Sequence, residues 1–380
     1  MKKVVPFQSM ILAIWALIMC ASVAFTLTSP QQTISPYYDV MKQSALLAQQ
    51  SMDAIKEYKI NHGIEISPDD ILNTGMLGDR YTSITTTVGV LEAKRTTFNP
   101  NWAAVIVGMF ARAGLKQGDQ VGMIFSGSFP ALNLCAMAAA QEYGLEVCIM
   151  ASVGASSYGA NNPDFTFFDM AEYLFTKQIL TNRIEYMSFG GAEDVGMEFT
   201  DEDKARIKLR IENTGVTFLE ESDFHKNINQ RIEIFDKEVP DMKFLLNVGG
   251  SMVGLGSGLS AFQASGYVPA SHFDSTASNI PGVGLSKDFG LLEYYNSGGI
   301  PVANMLNIKG LALQYGIPYD PVEMPPIGEG QTYYAVTYNL TTSFVALGLF
   351  LAVIIFYCIH RRKNGTEVSK HERNHILCGR

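Results

Sequence analysis

Two long apolar runs near the ends of the chain constrain its fold more than any other feature. The first covers residues 4–25 without a single charge, and the second covers residues 344–359. A helix that crosses a bilayer needs roughly 20 predominantly apolar residues. The two runs therefore predict transmembrane helices at residues 1–27 and 344–360, with one folded region between them.

Basic residues flank both runs on their outer sides and predict the orientation. Lys2 and Lys3 precede the first run, and Arg361-Arg362-Lys363 opens a basic tail at residues 361–380. Cytoplasmic flanks of membrane helices are enriched in Lys and Arg. We therefore expect two transmembrane segments in the cell membrane, the first an uncleaved signal-anchor, with both termini cytoplasmic and the central region extracytoplasmic.

Each run also has a competing interpretation. The first could be a cleaved secretory signal, because a short basic start and the small residues Ala21-Ser22-Val23-Ala24 fit that pattern. The second could be a buried core helix, although its length, its position and its basic end favour a membrane span.

The region between the runs has the pattern of an α/β domain. Residues 121–125 and 145–151 are apolar strand candidates, and the Ala-rich stretch 130–143 between them predicts a helix that Gly144 ends. A strand, a tight turn, a helix and a second strand form the unit of a parallel sheet. We expect an α/β ectodomain with a mainly parallel sheet at residues 81–318, flanked by N- and C-terminal transmembrane helices.

Two connecting segments complete the predicted organisation. Apolar residues at helical spacing predict a stalk or edge helix within residues 28–80. Pro321 and Pro325-Pro326 predict an extended, Pro-rich tether at residues 319–343. A last helix of the ectodomain is expected from Pro301 to about Tyr315.

Composition narrows the classes of function. The chain has 380 residues, and its composition, 47% hydrophobic and 17% charged, excludes intrinsic disorder. Its net charge of −9 argues against nucleic-acid binding. Its five cysteines are far apart and have no paired Cys or His spacing, so neither a disulfide framework nor a zinc site is expected. We predict no metal and no cofactor.

Two small turns after buried strands carry the candidate ligand-binding residues. Ser126-Gly127-Ser128 follows the first strand and opens a helix, and Gly249-Gly250-Ser251 follows the strand 244–248. Backbone N–H groups at a helix N-terminus bind phosphates and carboxylates, and Lys94 and Arg95 could add positive charge. The alternatives are ordinary tight turns and a solvated pair of cations.

Ser128 and Ser251 are also candidate nucleophiles. His272, with Asp274 nearby, is the best candidate for a base, although a lone surface histidine explains it as well. The segment around Ser128 has no G-x-S-x-G elbow, since Phe129 and Pro130 follow it. Whether the chain is catalytic is therefore left open by the sequence.

Five blocks of the central region resemble a bacterial family when they are taken together. They lie at residues 85–96, 125–132, 154–163, 247–251 and 299–309. As a set they are similar to the poly-gamma-glutamate system protein family. The resemblance implies an accessory role in the synthesis, export or surface retention of poly-gamma-glutamate, an anionic capsule or released polymer.

The resemblance implies a process and partners, but no reaction. The implied partners are the poly-gamma-glutamate synthase and exporter membrane proteins, the polymer itself and the membrane, with no nucleic acid. In this interpretation Lys94, Arg95 and the turn at 126–128 hold glutamate carboxylates. The alternatives are a serine hydrolase or transpeptidase that acts on the polymer, and a structural scaffold for the synthase complex.

Overall fold

The fold was analysed in a computed structural model, which describes residues 7–28, 30–256, 264–273, 289–338, 340–356 and 359. The chain divides into two compact units. The larger covers residues 35–333, and the smaller combines residues 1–34 with residues 334–380.

The larger unit alternates strands and helices along most of its length. Its helices are α2 (Tyr38–Asn61), α3 (Leu91–Thr96), α4 (Trp102–Arg112), α5 (Pro130–Tyr143), α6 (Phe167–Thr176), α7 (Asp201–Glu212), α8 (Phe224–Glu238), α9 (Met252–Leu255), α10 (Leu291–Ser297) and α11 (Ile308–Tyr315). Its strands are β2 (Thr85–Thr87), β3 (Gln120–Ser126), β4 (Glu146–Ser152), β5 (Ala155–Ser156), β6 (Asn161–Asn162), β7 (Phe165–Thr166), β8 (Tyr186–Ser188), β9 (Thr217–Phe218), β10 (Met242–Val248), β11 (Gly266–Val268) and β12 (Val302–Met305). Two 3₁₀ turns lie at Ala192–Asp194 and Gln331–Tyr333.

Seven of these strands form a mixed sheet in the order β11-β12-β10-β3-β4-β8-β9. Only the pairing of β11 with β12 is antiparallel. The chain moves from β3 to β4 on one side and later returns to place β10 on the other side of β3. This reversal of strand order is where open α/β sheets bind their ligands, at the carboxyl ends of the strands. The α/β part of the predicted fold is confirmed.

The strands of the sheet centre are buried on both faces. Ile149 and Ala151 of β4 join one apolar cluster with α4 and α5, whereas Cys148 and Met150 join a second cluster with α8 and α10. Side chains alternate between the two faces of a strand, so helices cover both faces.

The βαβ unit of residues 120–152 forms for the reasons that its sequence suggests. Pro130 occupies the first turn of α5, where its missing N–H has no helical partner to lose. Gly144 ends the helix in the left-handed region, with φ of 75°. The observed bounds of β3, α5 and β4 lie within about a residue of the predicted ones.

The predicted helix from Pro301 to Tyr315 is only partly present. Residues 302–305 form the parallel strand β12, all four of them buried, and the helix α11 starts after Asn307. The Asn307 side chain accepts a hydrogen bond from the N–H of Gly310 at 3.1 Å and caps this helix. A short apolar run that is buried on every side has no periodicity to separate strand from helix.

The smaller unit contains a helix α1 (Phe7–Thr28), the strands β1 (Pro30–Ile34) and β13 (Tyr334–Tyr338), and a helix at 341–356. The two strands pair antiparallel. The hydroxyl groups of Thr26 and Ser343 are hydrogen-bonded at 2.9 Å.

The predicted transmembrane helices are wrong on the evidence of this structure. Within the described residues, no helix is both long enough and apolar enough to cross a membrane. The predicted location, with two membrane segments and both termini cytoplasmic, is corrected with them.

Candidate active site

A cavity of about 430 Å³ opens at the carboxyl ends of the central strands. Ser126 at the end of β3, Ser152 at the end of β4 and Ser251 after β10 all line it. Residues 86–90 and part of α3 form another side of the cavity. The cavity therefore lies at the reversal of strand order, where the fold predicts a ligand.

Lys94 is the cation of this cavity and is almost completely buried, with 2% of its surface exposed. Its Nζ lies 2.7 Å from Ser156 Oγ and also donates to the backbone carbonyl of Ser128. The same Nζ lies 4.1 Å from the centre of the Phe129 ring. The ion pairs found among the described residues do not include Lys94.

Burial lowers the pKa of Lys94 from 10.5 to about 7. The physical cause is the loss of water around the ammonium group, since no carboxylate opposes it. The neutral amine is therefore well populated near neutral pH. A neutral lysine has a lone pair on Nζ and can accept a proton from a neighbouring hydroxyl group.

Ser156 presents the hydroxyl group that faces this amine. It belongs to β5, which pairs in parallel with β2 so that Thr87 lies opposite Ser156. The backbone N–H of Ser156 donates to Ser128 Oγ at 3.0 Å. Ser128 thus contacts both members of the pair, Lys94 through its carbonyl and Ser156 through its hydroxyl.

Glycines allow the backbone to close around Lys94. A Cβ atom at Gly89 would overlap the carbonyl oxygen of Ser157 and lie 3.1 Å from Lys94 Cε. A Cβ atom at Gly159 would lie 2.7 Å from the carbonyl oxygen of Gly127 and 2.9 Å from Ser128 Cα. These distances are too short for any side chain, so glycine at both positions permits the packing of the pair.

Most of the ligand-binding residues predicted from sequence come together in this cavity. Lys94, Ser126, Ser128, Gly250 and Ser251 line it. Gly127 and Gly249 lie next to it in the two turns. The N–H of Gly127 donates to the Gly154 carbonyl at 3.1 Å, and Gly249 adopts φ of 93° beside the Ser126 hydroxyl.

Arg95 and His272 lie elsewhere. Arg95 is bound on both sides by Asp320, with its Nε and Nη2 atoms each 2.6 Å from a carboxylate oxygen. His272 is exposed, does not line the cavity, and its ring lies 5.8 Å from the ring of Phe273. Asp274, the suggested partner of His272, lies outside the described residues. The hydrogen bonds of the described residues do not join His272 to Ser128 or Ser251.

Sequence reasoning missed Ser156 as a functional residue. The signal was present, since residues 152–159 are a small-residue loop after a buried strand, at the same sheet edge as the two serine turns. Lys94 was found, but as a ligand for carboxylates rather than as a buried amine. Nothing in the local sequence shows that Lys94 and Ser156, which are 62 residues apart, meet.

Metal binding and similarity to known proteins give no further assignment. Within the described ranges no group of three or more His, Cys, Asp or Glu side chains could hold a metal ion. No family model matches the chain, and comparisons with curated proteins and with solved structures also give no match. The functional interpretation therefore depends on the cavity itself.

Proposed function

We propose that the protein is a serine–lysine acyl hydrolase or acyltransferase, with Ser156 as the nucleophile and Lys94 as the general base. The observation that carries the proposal is the distance of 2.7 Å between Lys94 Nζ and Ser156 Oγ inside a cavity. Serine and lysine form such pairs in hydrolases on several unrelated folds.

The proton path follows from the two partners of the amine. With Lys94 neutral, one N–H donates to the Ser128 carbonyl and the lone pair accepts the hydroxyl proton of Ser156 as its oxygen attacks a substrate carbonyl. The resulting ammonium group returns this proton to the leaving group as the bond to the acyl carbon breaks. Water, or a second nucleophile, then loses a proton to Lys94 as it attacks the acyl ester, and the ammonium group gives this proton to Ser156 Oγ as the ester bond breaks.

Active-site labelling tests the assignment. A fluorophosphonate probe should label the full-length protein at Ser156, and Ser156→Ala and Lys94→Met should both abolish labelling. Ser251→Ala is the matched control, because Ser251 lines the same cavity but is not among the described hydrogen-bond partners of Lys94, which are Ser128 and Ser156. Labelling that survives Ser156→Ala but is lost in Ser251→Ala would assign the nucleophile to Ser251 and refute the pair.

A second candidate is the accessory role in the poly-gamma-glutamate system, with the cavity holding a carboxylate of the polymer. It is favoured by the serines that line the cavity together with Lys94, and by the resemblance described above. The bidentate pairing of Arg95 with Asp320 and the low pKa of Lys94 reduce the positive charge available for this role.

Calorimetry with gamma-linked glutamate oligomers distinguishes the two candidates. A binding protein should bind the oligomers with an affinity that Lys94→Met abolishes and Ser156→Ala leaves nearly intact, and it should show no labelling by fluorophosphonate. Labelling at Ser156 without measurable oligomer binding would favour the hydrolase. The proposed synthase and exporter partners would be tested separately by co-purification.

A further inference from the structure

Glu198 is the acidic residue that lines the cavity of Lys94 and Ser156. Its Oε1 accepts a hydrogen bond from the backbone N–H of Ala192 at 3.2 Å. The ion pairs identified in the described parts of the chain do not include Glu198, although five arginine and two lysine side chains are paired there. Glu198 is exposed, and its carboxylate lines the cavity without an ion pair to any described lysine or arginine.

A bend of the backbone brings this carboxylate to the cavity wall. Gly190 and Gly191 both have φ of 75°, which favours glycine. A Cβ atom at Gly191 would overlap Glu198 Oε2 and lie 3.2 Å from Thr86 Cγ2. The carboxylate thus packs directly against the Gly191 backbone, on the side where Thr86 lies.

The same wall leads to Ser156. A Cβ atom at Gly154, two residues before Ser156, would lie 2.8 Å from Thr86 Cγ2 and 3.1 Å from the backbone N of Gly191. Thr87, the neighbour of Thr86, is in register with Ser156. One continuous surface of the cavity therefore runs from Glu198 past Thr86 and Gly154 towards Ser156, the proposed nucleophile.

We propose that the site takes an acyl compound with a free ammonium group close to the scissile carbonyl, such as an amino-acid amide or the N-terminus of a peptide. Glu198 binds the ammonium group while Ser156 attacks the carbonyl. This inference rests on the proposed hydrolase function and names its substrate class. An unpaired carboxylate in a cavity attracts a cation, and a charge-assisted hydrogen bond to it strengthens binding at short range.

The charges of the cavity disfavour the opposite class of substrate. A substrate rich in carboxylates would be repelled by Glu198 and would find only Lys94 as a counter-ion. Lys94 must be neutral to act as the base, so it cannot neutralise a carboxylate in the same step. The site is therefore selective for a positive rather than a negative group next to the acyl carbon.

Three matched substrates test the inference. They are alanine p-nitroanilide, its N-acetyl derivative and its N-succinyl derivative, which place a cation, a neutral group or a carboxylate at the same position. We expect kcat/KM to fall in that order. Glu198→Gln should lower kcat/KM for the free amine by about tenfold or more and leave the N-acetyl compound within about twofold.

Glu193→Gln is the matched control, since Glu193 is an exposed acid of the same loop that does not line the cavity. Its kcat/KM values should match those of the unmodified protein. If Ser156 reacts with fluorophosphonate but the free amine is not hydrolysed or is not preferred, this inference fails and the hydrolase function stands. If Ser156 does not react with the probe, the proposed function itself fails.

Discussion

Replacing Lys94 with Met should stabilise the folded protein at acid pH and destabilise it at alkaline pH. Lys94 has 2% of its surface exposed and pairs with none of the described acidic residues, and burial lowers its pKa from 10.5 to about 7. At about 1.4 kcal/mol for each tenfold change, this difference corresponds to a cost of at most about 5 kcal/mol for folding with a charged Lys94.

The sign of this stability difference at each pH follows from the direction in which burial changes the pKa of Lys94. Below about pH 7 Lys94 is protonated in both the folded and the unfolded state, so the folded protein carries the full cost of the buried charge. Between about pH 7 and 10.5 only the unfolded state holds the proton, and the stability of the unmodified protein rises with pH. Near pH 10.5 the cost has disappeared.

Met has no charge, but it loses the two hydrogen bonds of Nζ to the Ser128 carbonyl and to Ser156 Oγ. Each bond contributes about 1 kcal/mol. Lys94→Met should therefore be more stable than the unmodified protein by up to about 3 kcal/mol at pH 6, and less stable by about 1 kcal/mol near pH 10.

Urea unfolding at several pH values measures this difference directly. Lys59→Met is a useful comparison, because Lys59 is also buried but Asp70 and Asp79 oppose the effect of burial, and its pKa falls only to about 8. Its pH-dependent difference should be smaller. A Lys94→Met difference that stays constant from pH 6 to pH 10 would show that Lys94 keeps an ordinary pKa, and the argument for a neutral base would then be wrong.

Three further outcomes can be checked. For the proposed hydrolysis, kcat/KM should rise about tenfold per pH unit below pH 7 and level off above it. The reason is that burial lowers the pKa of Lys94 to about 7 and the neutral amine is the base. A flat profile from pH 5 to 9 would contradict this role. Gly89→Ala should displace Lys94 and lower fluorophosphonate labelling at least tenfold, whereas Gly108→Ala, where a Cβ atom meets only Met41 Cε at 3.5 Å, should leave labelling unchanged. Asp194→Asn should lower the free energy of unfolding by about 3 kcal/mol, because Asp194 and Arg231 form a pair at 2.6 Å with 2% of each side chain exposed. Glu238→Gln, in the exposed pair with Lys237, should lower the free energy of unfolding by under about 1 kcal/mol in the same urea titration.

The fold was predictable where local signals agree with burial. Pro130 and Gly144 set the bounds of α5, and Thr200 caps α7 by accepting the N–H of Asp203 at 3.1 Å. The sequence predicts the start of a helix where strand β12 lies, since the burial of this strand on every side removes the alternation that marks a strand. Capping and turn chemistry act within a few residues, whereas the choice between a buried strand and a buried helix depends on distant neighbours.

The candidate site was predictable only in part, for the same reason. The serine turns at 126–128 and 249–251 could be placed at one sheet edge, because each follows a buried strand of a parallel sheet. The pairing of Lys94 with Ser156 depends on β2 and β5, strands of three and two residues that give no sequence signal of their own. Arg95 looks equivalent to Lys94 in the sequence, and only the fold directs one to the cavity and the other to Asp320.

The cost of burying Lys94 is itself an argument for function. An apolar side chain of similar size would avoid the desolvation of an ammonium group. At the buried Lys59, this desolvation is offset by a hydrogen bond to the Gly75 carbonyl at 2.7 Å and by the nearby charges of Asp70 and Asp79. At Lys94 no carboxylate offsets the cost, although a carboxylate, Glu198, lines the same cavity. Moving an acid next to Lys94 would raise its pKa and keep it protonated, which would stabilise the fold and remove the base. Within the described residues, Lys94 thus has no counter-ion in an ion pair where its amine meets the Ser156 hydroxyl in a cavity, as the proposed chemistry requires.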